Sequence, residues 1–108
     1  MQALAEVECV VLATPIYYYG ICSQLKAVID RFYAIEPSIR KGQKTAFITA
    51  MADDRPETVT AANNSYRAAI EWMEWKDCGI VNAFACSTAE DLADKDYEAQ
   101  AFSLGKNI

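Results

Sequence analysis

One segment constrains the fold more than any other, because an apolar strand, an aromatic turn and an amphipathic helix follow one another without a gap. Residues 8–13 form a short valine-rich run, which predicts a buried strand. Residues 14–20 read Thr-Pro-Ile-Tyr-Tyr-Tyr-Gly, which predicts a loop where that strand ends. Apolar residues then recur at helical spacing, with Ser23 as the expected N-cap: Ile21, Leu25, Val28, Ile29 and Phe32. Ligands of open α/β sheets bind at the carboxyl ends of strands, so the three tyrosines predict a platform for a flat, conjugated ligand.

The rest of the chain repeats the order of strand and then helix. Residues 44–50 and 79–85 are predicted strands, and an apolar stripe from Val59 to Met73 and the segment 94–107 are predicted helices. Pro37 is expected to end the first helix. We therefore predict an α/β fold in which three parallel strands alternate with three helices, joined by right-handed crossovers, as a single domain over residues 1–108.

Composition narrows the function further. The net charge of -5 repels phosphate backbones, so we expect no nucleic-acid partner. No apolar run approaches the roughly 20 residues that cross a bilayer, and residues 1–6 lack the positive charge of a signal peptide, so we expect a cytoplasmic protein without membrane contact. The four cysteines form no C-x-x-C pair and histidine is absent, which argues against a zinc or iron–sulfur site.

The acidic residues after the second strand allow two interpretations. Asp54 and Glu57 are spaced like a capping box, and Pro56 suits a first helical turn. Asp53 and Asp54 could instead bind a metal at the strand tip, although capping already accounts for Asp54. Both interpretations stay open at the level of sequence.

The aromatic loop also carries a family resemblance. Residues 14–20, followed by Gln24-Leu25-Lys26 and Ile29-Asp30-Arg31, resemble the NAD(P)H-dependent FMN reductases and their iron–sulfur flavoprotein relatives, and so does the tail at 101–106. The resemblance implies a flavodoxin-like fold, FMN as cofactor and NAD(P)H as reductant. It also implies that no catalytic side chain is required, because the flavin itself accepts the hydride.

The resemblance assigns a set of cofactor-binding residues. The loop after the first strand would wrap the isoalloxazine ring, and the loop after the next strand would complete the pocket. The implied residues are Thr14, Pro15, Ile16, Tyr17, Tyr18, Tyr19, Gly20, Ala50 and Met51.

The chain also departs from the family pattern. It starts at what would be the third strand of a three-layer α/β/α fold, without the Ser/Thr/Gly/Asn-rich loop that holds the FMN phosphate. We therefore expect a truncated fold with a weak or incomplete FMN site. The bare flank of the first strand predicts a homo-oligomer. Two functions stay open: an oxidoreductase of the flavin or quinone reductase class, and a flavin-free remnant that acts as an oligomeric interaction module.

Overall fold

The computed structural model describes residues 2–108. Two short 3₁₀ turns, Pro56–Thr58 and Ala89–Leu92, interrupt an otherwise regular order of helices and strands. None of the helices within residues 2–108 combines the length and the apolar character that a membrane crossing requires. The helices and strands, in chain order, are α1 (Gln2–Glu6), β1 (Cys9–Tyr17), β2 (Gly20–Ile21), α2 (Ser23–Asp30), α3 (Phe32–Ile39), β3 (Lys44–Ala50), α4 (Thr60–Met73), β4 (Lys76–Ala83) and α5 (Tyr97–Lys106).

The sheet has the strand order β2-β1-β3-β4. Strands β1, β3 and β4 are parallel, with Leu12 opposite Phe47 and Phe47 opposite Ile80. The two-residue strand β2 runs antiparallel to β1. Each parallel pair is joined through helices, α2 and α3 in the first crossover and α4 in the second. The predicted α/β fold with a parallel sheet is confirmed.

Strand β1 is longer than the sequence predicts. It continues past residue 13 to Tyr17, so Thr14, Pro15, Ile16 and Tyr17 lie in the strand and not in a loop. Proline is tolerated at this position because β1 is an edge strand over most of its length. The extension also gains a partner, since Ile16 and Tyr17 pair with β2.

The bounds of the last strand and the last helix differ from the predicted ones. Strand β4 spans 76–83 and not 79–85, and the last helix begins at Tyr97 and not at residue 94. A bulge explains why the pattern of β4 misleads: Asp77 lies opposite Thr45, but Ile80 already lies opposite Phe47. The extra residue breaks the alternation of inward and outward side chains on which the prediction depends.

The first crossover contains two helices where one was predicted. The chain breaks at Arg31, and α3 then runs through Pro37, which was expected to prevent helix continuation. The buried side chains of Phe32 and Ile39 anchor α3 on both sides of the proline. Their burial outweighs the loss of one backbone hydrogen bond. The predicted cap is also wrong, because Cys22 and not Ser23 occupies the N-cap of α2.

The core lies on one side of the sheet. There the ring of Phe47 stacks on Tyr66 of α4 with centroids 4.6 Å apart. Trp75 follows α4, is 6% exposed, and donates its indole N–H to the carbonyl of Ile39 over 2.7 Å. Trp72, on the outer side of α4, is 62% exposed and donates to the Glu36 carboxylate. These contacts join α3 and α4 into one layer over the sheet.

Candidate functional site

The predicted loop is a tight β-hairpin. Tyr17 pairs with Gly20, so the turn consists of Tyr18 and Tyr19 alone. Both tyrosines adopt left-handed backbone angles, with φ of 49° and 69°. A two-residue turn with both φ values positive matches the right-handed twist of the strands it joins. The two tyrosines therefore form the sharp turn themselves, and Gly20 lies in β2 opposite Tyr17.

The side chain of Asp53 organises the loop after β3. Its carboxylate accepts hydrogen bonds from the backbone N–H groups of Asp54 and Arg55, at 2.7 and 3.2 Å. It also accepts from the Arg55 guanidinium at 2.9 and 2.7 Å and from the Thr58 hydroxyl at 2.9 Å. A short aspartate that bonds backbone groups one and two residues ahead is typical of a turn. The loop is thus fixed by one carboxylate.

The neighbouring segment after β4 supports the same loop through its backbone. The N–H of Ala85 donates to the carbonyl of Asp53 over 3.0 Å, and the N–H of Cys86 donates to the carbonyl of Met51 over 2.8 Å. The tips of β3 and β4 are therefore tied to each other. A loop held from two directions presents its side chains in a defined arrangement.

The capping-box interpretation of Asp54 and Glu57 is wrong. Helix α4 begins at Thr60 without a side-chain cap, so Asp54 and Glu57 form no capping box. Pro56 does occupy the first position of the 3₁₀ turn, as expected. Residues 2–108 contain no cluster of three metal-ligating side chains. The carboxylate of Asp53 is instead used by Arg55 and Thr58.

A cleft of about 360 Å³ lies between the hairpin and the loop after β3. Four of the predicted cofactor-binding residues meet there, and three residues outside that predicted set complete the lining. The lining residues are Ile16, Tyr18, Tyr19, Met51, Ala52, Asp53 and Thr58. The cleft opens at the carboxyl ends of β1 and β3, where open α/β sheets bind their ligands.

The other predicted site residues lie elsewhere. Pro15 and Ala50 are register partners, and together with Tyr17 they point to the opposite side of the sheet from the core. Gly20 is the partner of Tyr17 in β2. Thr14 is buried, and its hydroxyl accepts a hydrogen bond from the Cys22 N–H over 3.0 Å. Thr14 therefore fixes the start of α2 against β1 and lies behind the hairpin.

Hydrogen bonds shift the pKa values of Asp53 and Arg55 in the loop after β3 and of Cys22 behind the hairpin. The Arg55 guanidinium, followed by the Thr58 hydroxyl, holds the pKa of Asp53 well below its usual range. Asp53 in turn raises the pKa of Arg55, and the Tyr19 hydroxyl contributes in the same direction. Behind the hairpin, the Thr14 hydroxyl and the first backbone N–H groups of α2 lower the pKa of the Cys22 thiol. The Asp53–Arg55 pair thus stays charged across the neutral range and borders Tyr19.

The lowered pKa of Asp53 predicts how acid affects the fold. Because the folded-state pKa lies below the unfolded value of about 3.9, its contribution to stability is complete above that value and is lost as the pH falls through the folded pKa. We expect Asp53→Asn to unfold at lower urea concentration than the wild type at neutral pH. The gap should shrink below about pH 4. Asp54→Asn, at the exposed neighbouring residue, is the control and should unfold at the same urea concentration as the wild type at neutral pH.

The sequence did not predict the contacts of Asp53 with Arg55 and Thr58. The prediction assigned the capping role to Asp54 because of its spacing to Glu57. The available signal was a strand end followed at once by an aspartate and a polar run, which is typical of a turn held by the aspartate side chain. The contact between Arg55 and that aspartate depends on side-chain geometry, which spacing does not reveal.

Comparison with solved structures shows the fold. The chain is similar to the Trp repressor binding protein from Bacillus subtilis, with a TM-score of 0.84, 18% identity, and coverage of 95% of this chain and 71% of that one. It is similar to a thermophilic tryptophan halogenase from Streptomycin violaceusniger (TM-score 0.71, 12% identity, coverage 98% and 69%). It is also similar to a NADPH-quinone reductase from P. pentosaceus (TM-score 0.70, 15% identity, coverage 98% and 68%). The flavodoxin-like fold is thereby confirmed.

The sequence comparisons are more specific about the family. No curated protein matches the sequence. The sequence model of the NADPH-dependent FMN reductases matches residues 1–76, which is well over half of the chain. That match includes the strand, the tyrosine hairpin and the helix that carry the resemblance. The chain therefore belongs to the NADPH-dependent FMN reductase family, a class of flavin-dependent oxidoreductase-like proteins.

Proposed function

We propose that this chain binds the isoalloxazine ring of FMN in the cleft between the tyrosine hairpin and the loop after β3, as part of an NAD(P)H-dependent oxidoreductase of the flavin or quinone reductase class. The observation that carries the proposal is the juxtaposition of Tyr18 and Tyr19 with Met51 at the carboxyl ends of β1 and β3. The volume of about 360 Å³ lies within the range of small-molecule pockets. Cytosolic NAD(P)H would be the reductant.

The lining suits a flat, mostly apolar ring. Ile16 and Met51 are buried and provide an apolar floor, while Tyr18 and Tyr19 provide aromatic faces at the rim. Stacked or edge-to-face aromatic contacts contribute about 0.5–1.5 kcal/mol each beyond the area they bury. Bound FMN supplies hydride acceptance and electron transfer. The chain's own residues hold the ring and keep water from its covered face.

The same lining is poorly suited to a phosphate. The Asp53 carboxylate in the cleft is paired with the Arg55 guanidinium over 2.7 Å, so this guanidinium is already engaged and the cleft offers no unpaired cation to a phosphate dianion. We therefore propose that the ring enters the cleft and the phosphate stays outside. Without charge-assisted hydrogen bonds to the phosphate, binding by one chain alone is weak.

The test compares FMN with riboflavin, which has the ring but no phosphate. Titrations followed by flavin fluorescence should give dissociation constants below about 1 mM that agree for the two ligands within about threefold. Tyr19→Ala should raise both constants by about fivefold or more, because it removes a stacking face. Tyr33→Ala, which removes an exposed tyrosine on α3, is the matched control and should leave both unchanged.

Two outcomes would reject the proposal. Dissociation constants weaker than about 1 mM for both flavins would exclude a flavin site on this chain. Equal effects of Tyr19→Ala and Tyr33→Ala would exclude the cleft as the place of binding. NADPH-dependent reduction of bound FMN then tests the oxidoreductase step separately from binding.

The alternative function is a flavin-free, oligomeric interaction module. One observation favours it: within residues 2–108, β1 has no partner on its outer edge from Cys9 to Pro15, and its face-exposed Val11 is 51% exposed. An edge strand of this kind favours association. The flavin titration separates the two functions, because an interaction module would leave both flavins unbound.

A further inference from the structure

The backbone of Ala85 is strained, and it is hydrogen-bonded to the loop that lines the candidate flavin cleft. Ala85 follows β4 and has a φ of 54°, in the left-handed region that residues with a side chain seldom adopt. Such a conformation persists only where surrounding contacts hold it, and it is common at functional sites. The contacts of Ala85 therefore indicate what its strained backbone serves.

Two successive N–H groups connect this residue to the loop after β3. The N–H of Ala85 donates to the carbonyl of Asp53 over 3.0 Å, and the N–H of Cys86 donates to the carbonyl of Met51 over 2.8 Å. Met51 and Asp53 line the cleft on either side of Ala52, which lines it as well. The φ of Ala85 sets the relative direction of the two N–H groups. A return to an ordinary φ would turn one of them away from its acceptor.

The ammonium group of Lys95 holds the carbonyl end of Ala85. Its Nζ donates to the carbonyl of Ala85 over 3.0 Å and to the carbonyl of Asp91 over 2.8 Å. Lys95 is half-buried and, within residues 2–108, forms no salt bridge, so its charge is directed at these two oxygens. Hydrogen bonds from a charged donor are roughly twice as strong as those between neutral groups. The bond to Asp91 belongs to the end of the second 3₁₀ turn, but that turn does not require the bond to Ala85.

The loop between β4 and α5 gives Lys95 a fixed position. The Asp91 carboxylate accepts hydrogen bonds from the N–H groups of Ser87 and Thr88, at 2.8 and 3.0 Å. The N–H of Lys95 donates to the carbonyl of Leu92 over 3.1 Å. Because these bonds define the shape of the loop, the ammonium group restrains Ala85 from a rigid base.

We propose that Lys95 is a positioning residue for the flavin cleft. Its ammonium group keeps Ala85 in the strained conformation, and the N–H of Ala85 in turn fixes the carbonyl of Asp53 in the cleft lining. The inference rests on the flavin site proposed above and adds to it a residue that does not line the cleft. Lys95 thereby lowers the cost of ordering the loop when a flavin binds.

The test repeats the flavin titrations with substitutions at Lys95. Lys95→Met keeps a long side chain but removes the donors, and it should raise the dissociation constants of FMN and riboflavin by about fivefold, the factor that corresponds to one net hydrogen bond. Lys95→Arg keeps the charge and the donors, and both constants should stay within about twofold of the wild type. Lys106→Met, at an exposed lysine of α5, is the matched control and should leave both constants unchanged.

Hydrogen exchange in flavin-free protein tests the route through Ala85 separately from flavin binding. The amides of Ala85 and Cys86 should exchange about fivefold faster in Lys95→Met, because their bonds to the loop after β3 open more often. Unchanged exchange at these two amides, or unchanged flavin affinity of Lys95→Met, would overturn this inference and leave the proposed function standing. A wild type that binds neither flavin would overturn the proposed function, and the positioning role with it.

A second variant covers the case in which Lys95→Met fails to fold. Glycine adopts a φ of 54° without strain, so Ala85→Gly relieves the conformation that Lys95 otherwise has to hold. Lys95→Met combined with Ala85→Gly should fold and bind both flavins within about threefold of the wild type. Failure of this double variant to fold, or a loss of affinity as large as that of Lys95→Met, would show that Lys95 does not act through Ala85 and would overturn the proposal.

Discussion

Replacing Tyr18-Tyr19 by Asn-Gly should stabilise the fold and weaken flavin binding in the same protein. The two tyrosines hold φ values of 49° and 69°, a conformation that costs an ordinary residue about 1–2 kcal/mol. Asn-Gly is the preferred sequence for this turn. After allowing for lost contacts of Tyr19, we expect a net gain of about 1 kcal/mol and a rise in Tm of about 4–8 °C. FMN affinity should fall by about tenfold, because both aromatic faces are removed.

Thermal unfolding and FMN titration of this one variant measure both effects. Tyr33→Asn, at an exposed tyrosine with helical backbone, is the control and should show neither the gain in Tm nor the loss of affinity. An unchanged FMN affinity in the Asn-Gly variant would mean that the strained turn serves no flavin. A lower Tm would mean that the tyrosine contacts outweigh the backbone strain.

The largest loss of stability is expected for Gly79→Ala in the bulge of β4. Gly79 has a φ of 143°, which side-chain-bearing residues rarely adopt. A Cβ atom there would lie 2.9 Å from Cδ1 of Leu104, so the end of the Leu104 side chain would have to shift. The backbone strain at this φ should lower the free energy of unfolding by about 1–3 kcal/mol. Urea denaturation monitored by circular dichroism measures this change.

Gly105→Ala provides the matched control with the opposite sign. Gly105 lies within α5, and a Cβ atom there would meet no neighbour within 4 Å. Alanine should therefore raise the free energy of unfolding by about 0.5–1 kcal/mol. A loss of stability similar to that of Gly79→Ala would show that α5 tolerates no added methyl group. The loss at Gly79 would then have no specific connection with the bulge.

The sequence predicted most reliably the parts of the fold that depend on local periodicity. Strand β3 has the predicted bounds, 44–50, because a run rich in β-branched and aromatic residues follows a polar segment that contains Gly42. Strand β1 was cut short at residue 13, because its last four residues become a strand only through pairing in the sheet, two of them with β2. The prediction that Pro37 ends the helix was wrong for a similar reason. Helix α3 continues through the proline because Phe32 and Ile39 are buried on both sides of it.

The candidate site was half predictable. Ile16, Tyr18, Tyr19 and Met51 line the cleft and were all implied by the family resemblance. The tyrosines alone were also expected from their position at a strand end. Pro15 and Ala50 were implied by the same resemblance, but the alternation of side chains along β1 and β3 turns them to the other side of the sheet. The role of Asp53 required knowledge of which polar groups surround its carboxylate.

The two tryptophans described in the core and on α4 give the chain intrinsic spectroscopic reporters. The indole of Trp75 is shielded from water and lies 5.6 Å from the ring of Phe32, whereas Trp72 is solvated beside Arg40. Fluorescence emission from the native state is therefore the sum of a blue-shifted and a red-shifted component, and only the red-shifted indole is open to soluble quenchers. The indole of Trp75 donates a hydrogen bond to Ile39, the last residue of α3. Its emission therefore reports whether α3 is packed against the segment after α4.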